Sequence, residues 1–476
     1  MPTLTGDRQQ STLLPACIED YVGLQDRVRL YDVFIESLVE QRQIALPQSS
    51  DMGRPEYDPK AMLKLLVYSY SYGVRSSRQI ERACHHNLSY IWLTGNLQPD
   101  HKTIARFRQE HLDLLKGLLR ECVKLCIKLN VIDGHVLFVD GTKIRANASK
   151  KNSWNEERCQ KALAKLDERI QKLLQECQAI DQAEQSQSSH VQMPEELSDA
   201  QALRQKVQQI LKDLKAQGGG HLNTTDRDCS VMHSVQGAHS AYNVQHVVDD
   251  QHGLIVSADP VKDSNDTQQL DQQLANAHEH LGRPCQVACA DAGYANTEEL
   301  EKAEQRQIQV IVPSQTQALH EEPGPFHHDK FKYAPHTDSY ACPAGQTLFY
   351  SGSQKLGISK AYRLSSGQIC QACPHWGVCT RSSRGRTISR MLNEDVKKHF
   401  EALYNSPQGQ AIYSKRKEKV EHPFGHLKRT LKVDGFLLRG RAGAKAESSL
   451  WATCFNLTRL ITILGGVSAV IQQLKA

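Results

Sequence analysis

Between residues 136 and 312, short apolar runs alternate with helical patterns in an order that few folds can satisfy. Two amphipathic stretches, Thr267 to Leu281 and Thr297 to Gln307, have helical spacing. The order along the chain is strand, strand, strand, helix, strand, helix, strand. Hairpin connections followed by helical crossovers predict an α/β fold with a mixed sheet. The five strand-like runs lie at residues 136–139, 242–248, 254–258, 286–290 and 308–312.

Two acids end strand-like runs in this series. Asp140 follows four apolar residues and precedes Gly141, and Asp291 follows Val287-Ala-Cys-Ala. In a ribonuclease-H-like arrangement the first and fourth strands lie side by side, so we expect the two carboxylates to be neighbours. One such Asp is usually a cap or a turn former, but facing carboxylates repel unless a cation lies between them. The pair therefore predicts a site for Mg²⁺ or Mn²⁺, which prefer hard oxygen ligands.

The first 130 residues have the pattern of an all-helical domain. Apolar residues recur at helical spacing after Pro59, which suits a first turn, and Ser76 and Asp100 are positioned to cap later helices. We expect Arg106 and Arg108 to be exposed near such a cap, which fits a helix-turn-helix-like unit that binds DNA. A generic helical bundle fits the same pattern equally well.

A heptad pattern interrupts the α/β series within residues 151–220. Apolar residues are spaced three and four apart from Leu163 to Ile180 and again from Leu203 to Leu214, on either side of a Gln/Ser-rich stretch. Three consecutive glycines from Gly218 end the second segment. This pattern predicts an inserted antiparallel helical hairpin, which either packs within the chain or pairs with a second copy.

Positive charge is concentrated near the C-terminal end of the chain. From Arg381 to Leu450, 16 Lys or Arg oppose seven Asp or Glu, a net charge of +9, whereas the whole 476-residue chain carries +5. This block predicts a polyanionic partner such as nucleic acid, although a solvated helix face can have the same composition. At roughly 100–200 residues per domain the length predicts about three domains. No run of about 18 apolar residues or secretory signal is visible, so we expect a cytosolic protein.

Four cysteines lie in a region rich in Gly, Ser, Pro and His, between the last predicted strand and the C-terminal helices. Cys370 and Cys373 have the spacing of a zinc knuckle, and Cys342 and Cys379 complete a set of four thiols. Without a signal peptide, such thiols are reduced or bind metal rather than forming disulfides. The cluster predicts either a structural zinc site or a set of reduced thiols in a loop-rich insertion.

A third acid, Glu421, lies in a basic segment with helical spacing, Pro407 to Leu464. Glu421 and Lys428 are seven residues apart and therefore share one face of a helix, two turns apart. Pro423 lies between them, so we expect a kink or a helix start nearby. The alternative is a surface helix with i, i+4 ion pairs, such as Lys417 with Glu421.

Seven sequence blocks resemble, in order, those of bacterial insertion-sequence transposases of the DDE type, from about residue 15 to residue 465. The blocks of the N-terminal part are Gly53-Arg-Pro-Glu-Tyr-Asp-Pro, Gly73-Val-Arg-Ser-Ser-Arg-Gln-Ile-Glu, Trp92-Leu-Thr-Gly and Pro99-Asp-His-Lys-Thr-Ile-Ala-Arg-Phe-Arg. The blocks that resemble the catalytic part are Val139-Asp-Gly-Thr-Lys-Ile-Arg-Ala-Asn-Ala-Ser, Ala290-Asp-Ala-Gly-Tyr-Ala-Asn and Val420-Glu-His-Pro-Phe-Gly-His-Leu-Lys.

This resemblance implies a ribonuclease-H-like core in which Asp140, Asp291 and Glu421 are catalytic and hold two Mg²⁺ or Mn²⁺ ions. It implies a DNA transposase that binds the terminal inverted repeats of its insertion sequence, cleaves the strands and transfers them to target DNA. Two ends must be processed together, so we expect at least a dimer at the synapse. We also expect a cytoplasmic protein associated with the bacterial nucleoid.

The family's Tyr, Arg, Glu and Lys signature adds DNA-contacting residues to these acids. Tyr413 and Arg416 keep the family spacing to each other, and Lys428 keeps its spacing to Glu421. Four residues separate Arg416 from Glu421, however, where the family has three, and Lys417 occupies the position that would give three. The resemblance implies that Arg416 and Lys428 hold phosphates near the metal ions.

Two other functions remain open on the sequence alone. One is a catalytically inactive, sequence-specific DNA-binding protein, and the other is a ribonuclease-H-like nuclease. The expected domains are a helical DNA-binding domain (1–130), a catalytic core (131–313 and 406–465), the inserted hairpin (151–220) and a Cys-rich insertion (314–405).

Overall fold

The computed structural model describes residues 17–47, 56–183, 195–234, 237–318, 324–354, 359–391 and 393–475. Two segments singled out in the sequence therefore lie partly outside the described residues, the block that begins at Gly53 and the Gln/Ser-rich stretch of the hairpin. The described residues form a mixed α/β structure with a helical N-terminal region, which confirms the predicted fold class at that level.

Six helices form the N-terminal region, and most begin at a capping side chain. Asp58 accepts a hydrogen bond from the Lys60 amide, and Asp100 accepts one from Thr103 at 2.7 Å, because these carboxylates satisfy amides that have no partner within the helix. The predicted helix starts near Pro59 and Asp100 are thereby confirmed. The helices are α1 (Arg27–Glu40), α2 (Pro59–Ser71), α3 (Ser77–His86), α4 (Leu88–Thr94), α5 (His101–Glu110) and α6 (Leu112–Lys128).

A six-stranded mixed sheet lies at the centre of the molecule. Strand β1 pairs with β5 on one side, antiparallel, and with β7 on the other, parallel, and β7 pairs in parallel with β8. Strand β5 also pairs with β4 and β6, both antiparallel. The predicted strands 3, 2, 1, 4 and 5 therefore lie in that spatial order. The strands are β1 (Val136–Arg145), β4 (Ser230–Ser234), β5 (Gly237–Asp249), β6 (Ile255–Val261), β7 (Val287–Cys289) and β8 (Gln309–Ile311).

Strand β1 does not end at Asp140, where its apolar run ends. It continues to Arg145 because residues 141–145 pair with the first half of β5, for example Gly141 with Gln245. The apolar pattern stops earlier because the residues from Asp140 to Lys143 are only partly buried or exposed. A polar strand segment therefore extends beyond the first acid, and the sequence pattern missed it.

Helices cover the sheet and connect it to the N-terminal region. Val28, Leu66 and Leu119 of the N-terminal helices share one hydrophobic core with Ile255 of the sheet and Phe455 of α15. Among the described helices none is by itself long and apolar enough to cross a membrane, and only α15 and α16 together, bent by 105°, reach that length and composition. These helices are α9 (Leu270–Leu281), α10 (Thr297–Gln305), α13 (Glu394–Asn405), α14 (Pro407–Gly425), α15 (Gly440–Ile463) and α16 (Val467–Lys475).

Pro423 lies inside α14, so of the two expected outcomes, a kink or a helix start, the helix start is absent. The helix continues through Pro423 to Gly425 and passes directly into a π-helical turn, His426–Thr430. A proline removes one backbone donor from the helical ladder, and a π turn is a known way of rearranging that ladder. The predicted basic segment is helical except for residues 431–439, between the π-helical turn and α15.

The predicted helical hairpin is present, and its two helices pack against each other. Helices α7 (Glu156–Ala183) and α8 (Glu195–Ala216) are antiparallel, since Asp167 pairs with Arg204 and Glu156 pairs with Lys215. Two short strands, β2 (Ser153–Trp154) and β3 (Leu222–Asn223), pair antiparallel and close its base. The turn between the helices lies outside the described residues.

The Cys-rich region contains a five-stranded antiparallel sheet, which the sequence did not predict. A cluster that includes Tyr340, Leu348 and Tyr362 forms its own small core. Its strands have few buried apolar residues and several Ser, so the alternation expected of a strand is weak. The elements are α11 (Gln315–Ala318), β9 (Lys332–Ala334), β10 (Ser339–Ala341), β11 (Thr347–Gln354), β12 (Ser359–Arg363), α12 (Gly367–Gln371) and β13 (Thr387–Met391).

Candidate active site

The structure brings Asp140 and Asp291 together at one edge of the central sheet. Phe138 of β1 lies opposite Cys289 of β7 in parallel register, and each acid follows two residues later. The guanidinium of Arg416 lies between them, with Nη2 3.3 Å from Asp140 Oδ1 and 3.3 Å from Asp291 Oδ2. The expected proximity of these two carboxylates is therefore present, and a cation lies between them.

Burial and like charges make Asp140 unusually hard to ionise. Burial raises the pKa of its carboxyl to about 6, and the nearby charges of Asp291 and Asp266 act in the same direction. Arg416 and the Gly141 amide, which donates to Asp140 Oδ1 at 2.9 Å, oppose this rise in pKa. The site therefore carries an excess of negative charge that one guanidinium offsets only in part.

Helix α14 presents one face to this edge of the sheet. Arg416, Val420 and Phe424 are four residues apart and lie on that face. Val420 is buried in the cluster that contains Phe138, and Phe424 stacks on His246 with ring centroids 4.6 Å apart. This packing fixes the helix over the acids and explains why Arg416 reaches both of them.

Tyr413 and Lys428 also lie near this edge. The ring of Tyr413 packs edge-on against Tyr404 at 5.0 Å, and burial raises the pKa of its hydroxyl. Lys428, in the π-helical turn, donates to the hydroxyl of Thr142 at 2.5 Å. Because Thr142 follows Asp140 by two residues, the ammonium group lies beside the acids and not among them.

Glu421 is not part of the acid cluster in this conformation. It follows the buried Val420 and is therefore turned away from the sheet by about 100°, the rotation of one helical residue. Its side chain is exposed and forms no hydrogen bond or ion pair with any described residue. Within the described part of the chain, no three His, Cys, Asp or Glu side chains are arranged to hold a metal ion.

A different acid, Asp266, lies beside the pair and was not singled out in the sequence. Its Oδ1 accepts hydrogen bonds from Asn243 at 2.7 Å and from Gln245 at 2.6 Å, both buried residues of β5. Gly141 is required here, since a Cβ at that position would lie 2.8 Å from Asp266 Oδ1. Asp266 follows the end of β6 by five residues in a polar loop, so no apolar run pointed to it.

Arg108 was predicted to be exposed and to bind DNA, and that expectation of exposure is wrong. Only 7% of it is exposed, and its guanidinium donates to the Tyr70 hydroxyl and the Arg75 carbonyl, each at 2.9 Å. It is four residues after the buried Ile104 and therefore lies on the inner face of α5. Arg106, on the same helix, is exposed as expected.

The four cysteines considered as zinc ligands line one small cavity. Cys342, Cys370, Cys373 and Cys379 all face it, and all are free thiols. Backbone amides of Gln346 and Arg386 donate to the sulfurs of Cys342 and Cys370. The thiols are gathered but are not in a metal-holding arrangement, so the zinc site stays a prediction.

Two transposase families match separate parts of the chain. The Transposase domain (DUF772) matches residues 16–110, in the N-terminal helical region. The Transposase DDE domain matches residues 341–461, which include Arg416, Glu421 and Lys428 but neither Asp140 nor Asp291.

No curated protein matches the chain. One solved structure that resembles the chain is a cryo-EM structure of the piggyBac transposase synaptic complex with hairpin DNA, at 8% sequence identity. The alignment covers 95% of this chain and 79% of that chain, with a TM-score of 0.34. That score is too low to support a shared fold. The two transposase domain matches, in this order along one chain, support a DDE-type transposase.

Proposed function

We propose that the chain binds the terminal inverted repeats of its insertion sequence, cleaves DNA at those ends and joins them to target DNA. The observation that carries this proposal is the meeting of Asp140 and Asp291 at Arg416, at the ends of adjacent parallel strands. The spatial strand order 3, 2, 1, 4, 5 is the one expected of a ribonuclease-H-like core, which we propose as the fold of the catalytic region.

We propose Asp140, Asp291 and Glu421 as the residues that hold two Mg²⁺ or Mn²⁺ ions. Their carboxylate oxygens are the ligands that these ions prefer, and the position of Arg416 indicates that Asp140 and Asp291 together attract a cation. When bound, the ions would activate the attacking oxygen and stabilise the leaving oxygen of an in-line displacement. Glu421 is exposed, so its side chain or α14 must shift to join the pair.

The remaining residues of the site act on the DNA. In cleavage, water attacks a phosphorus at the transposon end, and the 3′-oxygen leaves with a proton as a hydroxyl. In strand transfer, that 3′-hydroxyl attacks a target phosphorus and releases a new 3′-hydroxyl. Lys428, beside Asp140, is placed to pair with a phosphate, and Arg416 would become available for a second phosphate if the acids held metal.

Replacing the proposed catalytic acids tests this function. We expect Asp140→Asn, Asp291→Asn and Glu421→Gln each to reduce Mg²⁺-dependent cleavage of a DNA carrying the element's own termini by about 1,000-fold or more, since metal ions stabilise such transition states by several kcal/mol. Binding to the same DNA, measured by gel shift, should persist. Asp250→Asn, at the end of β5 and ion-paired with Lys415, is the matched control and should cleave normally.

Three outcomes would contradict the proposal. Cleavage that survives either Asp291→Asn or Glu421→Gln would remove that acid from the catalytic set. A wild-type chain that binds the termini but cleaves nothing would favour the inactive DNA-binding protein. Cleavage of DNA without terminal repeats, at the same rate and without strand transfer, would favour a ribonuclease-H-like nuclease.

A further inference from the structure

Three cavities join into one groove along the second half of β1. The first, of about 620 Å³, and the second, of about 570 Å³, share Arg145 and Asp434 in their walls. The third, of about 440 Å³, shares Asn147 and Arg439 with the second. We call these three cavities the β1 groove.

The β1 groove begins beside the proposed catalytic acids. Lys428 lines its first cavity and is hydrogen-bonded to Thr142, two residues after Asp140. At its other end the groove reaches Gln109 of α5 and Leu112 of α6. It therefore leads from beside the acids to the N-terminal helices, along residues 143–145 of β1.

The charge of the β1 groove is strongly positive. Among the described residues that line it, the single carboxylate is Asp434, which is neutralised by Arg75 at 2.7 Å. The lining cations are Lys143, Arg145, Lys428 and Arg439.

Three of these cations donate hydrogen bonds to neutral oxygens. Lys143 donates to the His233 carbonyl and Arg439 to the Asn147 carbonyl, while Lys428 donates to a hydroxyl. None of the three forms an ion pair with any described residue. A row of cations whose only partners are neutral oxygens is a surface that attracts a chain of anions.

The floor of the β1 groove consists of backbone and small side chains. Gly435 lies so close to β1 that a Cβ there would be 3.1 Å from the Arg145 carbonyl oxygen, and Ala146 and Ala148 line the wall. Phe436 is the one Phe, Tyr or Trp among the described lining residues, and it is 4% exposed. The described part of the groove therefore has charge for phosphates but no exposed Phe, Tyr or Trp ring on which bases could stack.

We propose that the β1 groove binds the sugar–phosphate backbone of the DNA segment adjoining the cleavage site, without reading its bases. This inference rests on the proposed function, because DNA is the substrate that the acids would cleave. Contacts to phosphates position a nucleic acid and carry no sequence information directly. The groove would thus supply affinity and orientation, and base-specific contacts would come from another part of the chain.

Salt dependence of DNA binding tests this inference. The probe is a fluorescein-labelled 30-base-pair DNA duplex of arbitrary sequence, titrated with the full chain in EDTA at several salt concentrations. We expect Lys143→Gln and Arg439→Gln each to weaken binding and to reduce the slope of log Kd against log salt by about 0.9, the value for one lost phosphate contact. Lys332→Gln, an exposed residue of β9, is the control and should leave the slope unchanged.

A second measurement uses the unmodified chain. We expect the duplex to protect Lys143 from acetylation, read by mass spectrometry, while Lys332 stays reactive. The inference would be overturned if both groove variants kept the wild-type slope of log Kd against log salt. It would also be overturned if the duplex left the acetylation of Lys143 unchanged. A loss of affinity confined to the element's own termini, or tighter binding of an RNA duplex than of the DNA duplex, would overturn it as well.

The two proposals fail separately. If the wild-type chain cleaves its termini and the groove variants bind the arbitrary duplex normally, the β1 groove is not a DNA site and the proposed function stands. If the groove variants lose salt-dependent binding but the wild-type chain never cleaves, the groove binds DNA and the proposed function fails.

Discussion

At the level of single residues, Arg416 determines how the two strand-end acids coexist. Its guanidinium contacts both Asp140 and Asp291, and it opposes the rise in the pKa of Asp140 that burial causes. Asp266 adds a third negative charge, held by two amides of β5. A divalent cation at this place would compete with Arg416 for the same carboxylate oxygens, so metal binding and release of Arg416 would be coupled.

Arg108 and Arg106 provide a matched pair of substitutions on α5. We expect Arg108→Met to lower the free energy of unfolding by about 3 kcal/mol, because the buried Tyr70 hydroxyl and Arg75 carbonyl lose a charged donor. Arg106→Met should change it by no more than about 0.5 kcal/mol, since that side chain is exposed. Urea denaturation measures both. Unchanged stability of Arg108→Met together with weaker DNA binding would restore the original expectation for this residue.

Some site residues could be predicted from the sequence because each ends an apolar run. Asp140 and Asp291 are of this kind, and their proximity followed from the order of the strands. Asp266 could not be predicted, since it lies in a polar loop and is brought in by side-chain amides. The burial of Arg108 has one signal in the sequence, its helical spacing from the apolar Ile104, and its charge points the opposite way.

At the level of elements, strands covered on both faces were predicted and half-exposed ones were not. The run in β7 is short and fully apolar, and β8 is apolar except for Gln309, so the sequence pattern predicts both strands. Strand β11 contains Ser, Gly and exposed aromatic residues, for example Phe349 at 54% exposure. The strands that pair with it show an equally weak alternation of apolar and polar residues. Such strands are stabilised by pairing with neighbours that are distant in sequence, which the local pattern does not reveal.

The hairpin of α7 and α8 can be removed cleanly. Trp154 and Leu222 are paired across β2 and β3, and directly opposite residues in such a pair have Cα atoms about 5 Å apart. We expect a chain in which a short Gly/Ser linker replaces residues 156–220 to retain metal-dependent nicking but to form fewer paired-end complexes, as measured by native gel. We predict this because the hairpin exposes apolar residues, Leu174 and Leu203, to solvent.

A milder variant controls for disruption of the fold. Leu174→Ser with Leu203→Ser keeps both helices and removes only the exposed apolar contacts, so it should impair pairing without affecting nicking or thermal stability. Normal pairing in the deletion variant would contradict a role for the hairpin in assembly.

At the level of the whole molecule, a buried carboxylate joins the N-terminal helices to the core. Glu447 of α15 accepts hydrogen bonds from the Tyr70 hydroxyl at 3.0 Å and from the amides of Leu437 and Leu438. One hydrophobic core runs through both regions. DNA held by the N-terminal helices would therefore be presented to the acids at a fixed distance, along the β1 groove.

Anomalous X-ray diffraction tests most directly whether the three acids bind divalent cations together. The crystals would contain the chain, Mn²⁺ and DNA that carries the termini of the element. We predict manganese peaks within about 2.0–2.6 Å of carboxylate oxygens from Asp140, Asp291 and Glu421, with Arg416 moved away from the acids. Manganese bound elsewhere would contradict the claim that these three acids hold the metal ions. So would manganese bound by Asp140 and Asp291 without Glu421.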